Sequence, residues 1–181
     1  MAIDEQAHEV QIISDSRGGR MEVQPDARSS DGATYTFTWY LPPNAPAPPL
    51  HLHPRQEERF EVISGQFTVM LGKTRHILRP GDTLTVPIGG LHAVANDTGE
   101  ETCVQTVFTP AFDTHTFFEQ LFAIERSSRG LAQIAGMAVL FRQMPGYVDV
   151  PTPQRLVIIV LALVAHLLGY QLPSATQASP S

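Results

Sequence analysis

The stretch HLHPRQEERFEVISG, residues 51–65, places two histidines one residue apart at the start of a strand-like run. On a strand, His51 and His53 project from the same face, because successive side chains alternate between the two faces. Pro54 cannot donate to a strand ladder, so it ends this strand and turns the chain. The spacing therefore predicts two imidazoles side by side at a turn.

A second strand begins near Glu57, and its alternation decides which glutamate points inward. Glu58 shares a face with Phe60 and Val62, whereas Glu57 falls on the opposite, solvated face. If the apolar side chains face the core, Glu58 is buried with them. A buried carboxylate is costly unless a cation meets it, and two imidazoles with a divalent metal would do so.

The set is completed about thirty residues later, in RPGDTLTVPIGGLHAVAN, residues 79–96. His92 opens a strand there, on the same face as Val94 and Asn96. Imidazole nitrogen and carboxylate oxygen together suit Mn, Fe, Co, Ni or Zn. We therefore predict that His51, His53, Glu58 and His92 bind a divalent transition metal.

The organisation of the chain changes at about residue 110. Before it, short runs that alternate with period two are bounded by Gly, Pro, Asn or Asp, which is typical of an all-β sandwich or barrel. After it, apolar residues recur at helical spacing and predict helices over 113–126 and 130–142, and a third from about 152 to 169. Residues 173–181, small and polar, are expected to be disordered.

Composition narrows the possible partners and the compartment. The net charge of −6, without a basic cluster, argues against a nucleic-acid partner. Cys103 is the single cysteine, so no internal disulfide is possible, and the first ten residues have no apolar signal segment. These features predict a cytoplasmic protein in which Cys103 is a buried, inert thiol.

The two stretches resemble the two sequence motifs of the cupin superfamily. The first motif, G-x5-H-x-H-x(3,4)-E-x6-G, is matched from His51 to Gly65, with Ala45 replacing the leading glycine. The second motif, G-x5-P-x-G-x2-H-x3-N, is matched in full by Gly81, Pro87, Gly89, His92 and Asn96. The resemblance covers about residues 30–110.

The resemblance implies a mainly β fold, a small double-stranded β-helix (jelly-roll) barrel, with three histidines and one glutamate around a metal. We expect a barrel domain over residues 1–110, including the N-terminal strands. Two or three helices in residues 111–172 would then form an extension packed on the barrel or on a dimer partner. The resemblance does not reach this extension.

The sequence gives a weaker indication of which residues surround the predicted metal site. Phe37, Trp39 and Phe60 could line a pocket, although barrel core is the ordinary role of such residues. Asn96 could contact a ligand or serve a turn through hydrogen bonds.

Function is open beyond the metal. The site suits a small-molecule metalloenzyme, of dioxygenase type or an isomerase or lyase acting on a chelating substrate, with Glu58 as a possible base. The competing interpretations are a module that binds a small ligand without turnover and a structural protein, because one fold hosts many activities.

The third helix is apolar on almost every side between Leu156 and Leu168, which predicts burial on most of its surface. The run is shorter than the roughly 20 residues of a membrane span, so membrane association is the weaker alternative. One barrel wall cannot cover such a helix. We therefore predict a homodimer whose interface lies at or near residues 153–169.

Overall fold

The computed structural model describes residues 9–15 and 17–174, which form two antiparallel sheets followed by helices. One sheet has six strands in the order β1-β2-β3-β9-β4-β7, and the other has three in the order β6-β5-β8. This confirms a mainly β double-stranded β-helix with C-terminal helices. The strands are β1 (Gln11–Ser14), β2 (Arg20–Val23), β3 (Tyr35–Leu41), β4 (Glu57–Ser64), β5 (Phe67–Leu71), β6 (Thr74–Leu78), β7 (Thr83–Val86), β8 (His92–Ala95) and β9 (Thr102–Thr109).

Strand β4 alternates as the sequence predicts. Glu58, Phe60 and Val62 are buried, whereas Glu57 is exposed. On one side β4 pairs with β7, and on the other with β9, so Glu58 stands opposite Val86 and Phe108. Because β4 has a neighbour on each side, its inward face is held firmly inside the barrel.

The core of the barrel is built from the inward faces of both sheets. Phe60, Phe67 and Val104 have no exposed surface, and the rings of Phe60 and Phe67 meet edge to face at 5.1 Å. Burying a large apolar side chain of this kind stabilises a fold by about 1.5–3 kcal/mol. A fully buried apolar core therefore lies behind the strands that carry Glu58 and His92.

Strand β2 is an element that the sequence patterns did not predict. It pairs with β1 on one edge and β3 on the other, and it buries Met21 and Val23. Only four residues long and half polar, it follows the turn at Gly18 and Gly19 and gives little periodic signal.

The helices are α1 (Thr114–Ser127), α2 (Gly130–Gln143) and α3 (Thr152–Leu167), close to their predicted bounds. Asp113 occupies the N-cap of α1, and Pro151 occupies that of α3. Helix α1 packs on the six-stranded sheet, where Phe122 joins the cluster that contains Tyr35 and Phe37. Within the described residues, each helix is too short or too polar to cross a bilayer.

Helix α3 is exposed on most sides within one chain, so the single chain does not supply the burial expected from the sequence, and burial against a second copy stays a prediction. It packs against α2 through small residues, Ala162 and Ala165, which are almost fully buried. Most of its other apolar side chains face solvent, with exposed fractions of 63% for Leu156 and 83% for Leu167, while Ile158 and Leu161 are half-buried. The division of the chain at residue 110 stays a prediction, and residues 175–181 of the predicted disordered tail lie outside the described residues.

Candidate metal centre

The structure brings the three predicted histidines together at one end of the barrel. His51 and His92 exchange backbone hydrogen bonds of 2.9 and 2.8 Å across an antiparallel bridge. Their ring centroids lie 4.3 Å apart, and the ring of His53 is 5.3 Å from each of them. His53 and His92 are buried, and His51 is half-buried. The cluster therefore has one side nearer to solvent.

The Nδ1 atom of each imidazole contacts a backbone carbonyl, which fixes the tautomer. His51 Nδ1–H donates to the Pro49 carbonyl at 3.1 Å, and His92 Nδ1–H donates to the Gly90 carbonyl at 3.0 Å. His53 Nδ1–H donates to the carbonyl of Tyr147 at 2.5 Å. A carbonyl can only accept, so each of the three rings carries a proton on Nδ1, and Nε2 is directed to other partners.

Glu58 lies against two of the three imidazoles. Its Oε2 atom is 2.9 Å from His92 Nε2 and 3.2 Å from His53 Nε2. The carboxylate was predicted to face inward because of its register with Phe60 and Val62, and its exposed fraction is 6%. A buried negative charge thus faces the two buried rings.

The pKa values in the cluster follow from this packing. Burial raises the pKa of Glu58, but hydrogen bonding and charge interactions with His53 and His92 outweigh burial and lower it to about 2. Burial lowers the pKa of His92, but the hydrogen bond to Glu58 prevails and the pKa is raised. Burial, with the neighbouring His92 and His53, lowers the pKa of His51 to about 4. Glu58 is therefore ionised and His51 neutral at neutral pH.

The cluster fits a divalent metal. One ring nitrogen of each of His51, His53 and His92 lies within 4.8 Å of the others. His53 Nε2 is buried, and no group within the described residues hydrogen-bonds to it with good alignment. Because Nδ1 donates to the Tyr147 carbonyl, Nε2 is the ring nitrogen that could bind a metal ion, and Glu58 Oε2, 3.2 Å away, offers a second donor to the same ion. Imidazole and carboxylate donors are those that transition metals bind.

The residues predicted to line a pocket belong to the packed interior of the barrel. Phe37 stacks on Phe108 at 6.2 Å, and Phe60 is fully buried. Trp39 is half-buried and contacts both core clusters of the barrel. Phe108 continues this set to the site, because its ring meets His53 edge to face at 5.2 Å. Their contact with a ligand stays a prediction.

Asn96 is fully buried and holds the loop that follows β8. Its amide donates to the carbonyls of Leu41, Pro42 and Glu100 at 2.7–3.2 Å, and its Oδ1 accepts from Thr98. These hydrogen bonds agree with the second of the two predicted roles of Asn96, which is to stabilise a turn. A role in ligand binding stays a prediction.

The backbone conformation explains why two positions of the motifs, Gly65 and Gly89, are glycine. Gly65 has φ +78°, and a Cβ there would lie 2.7 Å from the Glu101 carbonyl oxygen. The turn between β4 and β5 therefore has no room for a side chain. Gly89, with φ +74°, donates its N–H to the His53 carbonyl at 2.9 Å and so ties the turn before β8 to the histidine pair.

Sequence analysis missed one partner of the site, the Tyr147 carbonyl. A backbone carbonyl carries no residue-type signature, and Tyr147 is 94 positions from His53 in the sequence. Only helical spacing was visible in that part of the chain.

The fold and the cluster define a small β-barrel with three histidines that could hold a metal ion. Residues 37–117 match the family model described as Cupin domain, and the chain belongs to the cupin superfamily. The match begins in β3 and ends in α1, so it contains all four predicted ligands.

Two similar proteins illustrate the relationship. An oxidoreductase of Arthrobotrys oligospora is 31% identical over 144 residues, which are 68% of this chain and 56% of that protein. The chain thus spans little more than half the length of this relative. The structure of KdgF from Halomonas sp. has a TM-score of 0.50 and 20% identity, with 62% of this chain and 94% of that chain covered. This second likeness concerns the fold alone.

Proposed function

We propose that this protein is a metal-dependent enzyme acting on a small chelating molecule, with His51, His53, His92 and Glu58 as metal ligands. The observation that carries the proposal is the shared tautomer of the imidazoles, each of which donates Nδ1–H to a backbone carbonyl. This second bond orients a metal-binding histidine and raises its basicity. When bound, Fe, Mn, Co, Ni or Zn would supply Lewis-acid polarisation, and Fe or Mn also reactivity with O₂.

The protein's own residues divide the work around such an ion. The imidazole of His51, on the half-buried side, is neutral at neutral pH because its pKa is about 4. The proton that His92 shares with Glu58 must leave when a metal binds, since ligands bind in their deprotonated form. Phe108 shields His53 on the interior side and keeps water from it.

Glu58 is better suited as a ligand than as a base in the arrangement described. A carboxylate whose pKa is about 2 has little affinity for a substrate proton. It could act as a base at Oε2 only after it exchanged its contacts with His53 and His92 for others. We therefore keep general-base action as a secondary role.

Among reaction classes we favour oxidation over isomerisation or lyase chemistry. The support is the 31% identical relative, which is described as an oxidoreductase. Because the chain spans 56% of that relative, the activity of the whole relative is only a guide to this one. A dioxygenase-type reaction on a catechol-like or diketone substrate follows from oxidation at a metal with open coordination positions.

The test is metal content and oxygen uptake in protein purified without chelator. We expect near one Fe or Mn per chain and oxygen consumption with catechols or β-diketones. The double variant His51→Ala/His92→Ala should lose at least about 100-fold in metal affinity, and Glu57→Gln is the matched control on the solvated face. Full metal content in the double variant would refute the site. Metal without turnover of any chelating substrate would favour a binding module or a structural cupin.

We also propose that the protein is a homodimer paired through α3. Large apolar side chains are exposed along this helix, for example 58% of Val160 and 83% of Leu167. A soluble monomer rarely leaves a large continuous apolar patch of this kind uncovered. Covering several hundred Å² of such surface is worth on the order of 10 kcal/mol before entropy. Twofold pairing of identical helices is the simplest way to cover it.

The remaining partners and the location are also proposals. We propose no nucleic-acid partner, because the net charge is −6. A cytoplasmic location is supported by the single cysteine, Cys103, which is buried and reduced.

A further inference from the structure

The connection between α2 and α3 runs beside the histidine pair, although it lies outside the region that matches the cupin family. Leu52 N–H donates to the Asp149 carbonyl at 2.9 Å, and Asp149 N–H donates back to the Leu52 carbonyl at 2.8 Å. This is a one-residue antiparallel bridge. We name residues 146–149 the clasp.

The strand segment that carries the ligands therefore has two different neighbours. On one edge His51 pairs with His92, inside the barrel. On the other edge Leu52 pairs with Asp149 of the clasp. Because backbone groups of successive residues point to opposite edges, the histidines cannot shift without breaking one of these bridges.

The three imidazoles differ in where their Nδ1 partners come from. His51 and His92 use carbonyls two residues away, so their orientation is local to the barrel. His53 uses the Tyr147 carbonyl, 94 positions away. The orientation of His53 alone depends on the C-terminal extension.

Tyr147 is itself fixed by α1 and the residues before it. Its ring stacks on Phe117 at a centroid distance of 5.5 Å and an interplanar angle of 6°. Its hydroxyl oxygen accepts a hydrogen bond from the Asp113 N–H at 2.5 Å. Gly146 has φ +94°, and a Cβ there would come 2.9 Å from the Arg55 side chain, so the clasp approaches the turn after His53 closely. These contacts place the carbonyl independently of the metal.

We infer that the clasp is part of the metal centre and that Tyr147 is a positioning residue for His53. Its carbonyl holds the Nδ1 proton and thereby directs the lone pair of His53 Nε2 towards the site. The inference rests on the proposed metal function. It gives the C-terminal extension a role in orienting one proposed metal ligand, His53, in addition to burial and dimer formation.

The experiment compares metal affinity among folded variants, measured by competition titration with Zn²⁺ and Co²⁺. Tyr147→Ala removes the stacked ring that holds the clasp and should weaken affinity by about 10-fold or more, the effect typical of lost outer-shell support. Tyr147→Phe keeps the ring and should stay within about threefold. Ile13→Ala, a buried residue on β1 whose core cluster does not contain Tyr147, is the stability control. It should lower the melting temperature but leave affinity within about threefold.

A second measurement needs no variant. Nitrogen-15 NMR of the wild-type imidazoles, with and without Zn²⁺, should show His53 protonated at Nδ1, with that proton in slow exchange and an NOE to Tyr147 or Val148. A spectrum in which His53 carries its proton only on Nε2 would overturn the inference.

The two proposals fail in different ways. If the wild-type protein binds metal and Tyr147→Ala, while folded, binds it as tightly, the positioning role is wrong and the metal site stands. If Ile13→Ala loses as much affinity as Tyr147→Ala, the effect is general destabilisation and the positioning role is again wrong. If wild type and His51→Ala/His92→Ala bind equally weakly, the proposed function fails and the inference fails with it.

Discussion

The barrel and helix α3 use similar apolar residues in opposite ways. In the barrel, Phe60 on β4 and Phe67 on β5 are completely buried, whereas on α3 Leu156 and Leu167 are 63% and 83% exposed. The barrel closes its own core because two sheets face each other, while α3, within the described residues, packs chiefly against α2. The barrel therefore covers its core within one chain, whereas one chain leaves the outer face of α3 exposed.

The largest predicted effect is on the free energy of unfolding, and it compares a barrel residue, Phe60, with an α3 residue, Leu167. Phe60→Ala should lower the free energy of unfolding by about 3–5 kcal/mol, because it leaves a cavity in a dry core. Leu167→Ala should change it by about 0.5 kcal/mol or less when the subunits are kept apart by dilution. Chemical denaturation at low protein concentration measures both. Equal effects would mean that α3 is covered within its own chain.

The second prediction addresses the outer face of α3. The double variant Val160→Glu/Leu163→Glu should convert a dimer to a monomer, because it places charges where two apolar helices would meet. Light scattering coupled to gel filtration reports the mass.

The matched control is Ile77→Glu on β6, a residue 46% exposed on the barrel, which should leave the dimer intact. A wild-type protein that is a stable monomer in plain buffer would contradict the dimer. A wild-type protein that needs detergent to stay in solution would point to a membrane surface instead.

The smallest predicted effect concerns the carboxylate of the site. Glu58→Gln keeps the shape of the side chain but removes the charge that faces His53 and His92. We expect metal affinity to fall by about 10-fold, less than for the double histidine variant, because three imidazoles remain. Titration with Zn²⁺ measures the change, and Glu57→Gln should leave affinity unaltered. A loss as large as that of the double variant would make Glu58 the dominant ligand.

Much of the site was predictable because its side chains are of metal-binding types and occur at regular spacing along strands. The period-two alternation put Glu58 on the side of Phe60, and the structure buries both. His51, His53 and His92 were assigned to one centre, and their ring nitrogens meet within 4.8 Å. Strand alternation works here because each candidate ligand lies in or beside a strand whose apolar residues define the inner face.

Other features could not be predicted because their signal was weak or absent. Strand β2, four residues long, carries too few periods to be recognised, and its place in the sheet depends on β1 and β3. Because α3 is apolar on nearly every side, the sequence indicated that the helix is buried, but it did not indicate which element or partner covers it. A single chain leaves its outer face exposed. Periodicity tells which side of an element is apolar and says nothing about the partner.

The sequence by itself determined the barrel, its motifs and the four candidate ligands, because local alternation and spacing specify them. The tertiary structure decided how His53 is held, since the Tyr147 carbonyl reaches it from 94 positions away. Any residue offers the same carbonyl, so only the folded path of the chain could identify this one. The tertiary structure also decided that α3 packs on α2 with Ala162 and Ala165 and leaves most of its larger residues exposed, because packing geometry, rather than hydropathy, selects which face of an all-apolar helix is buried.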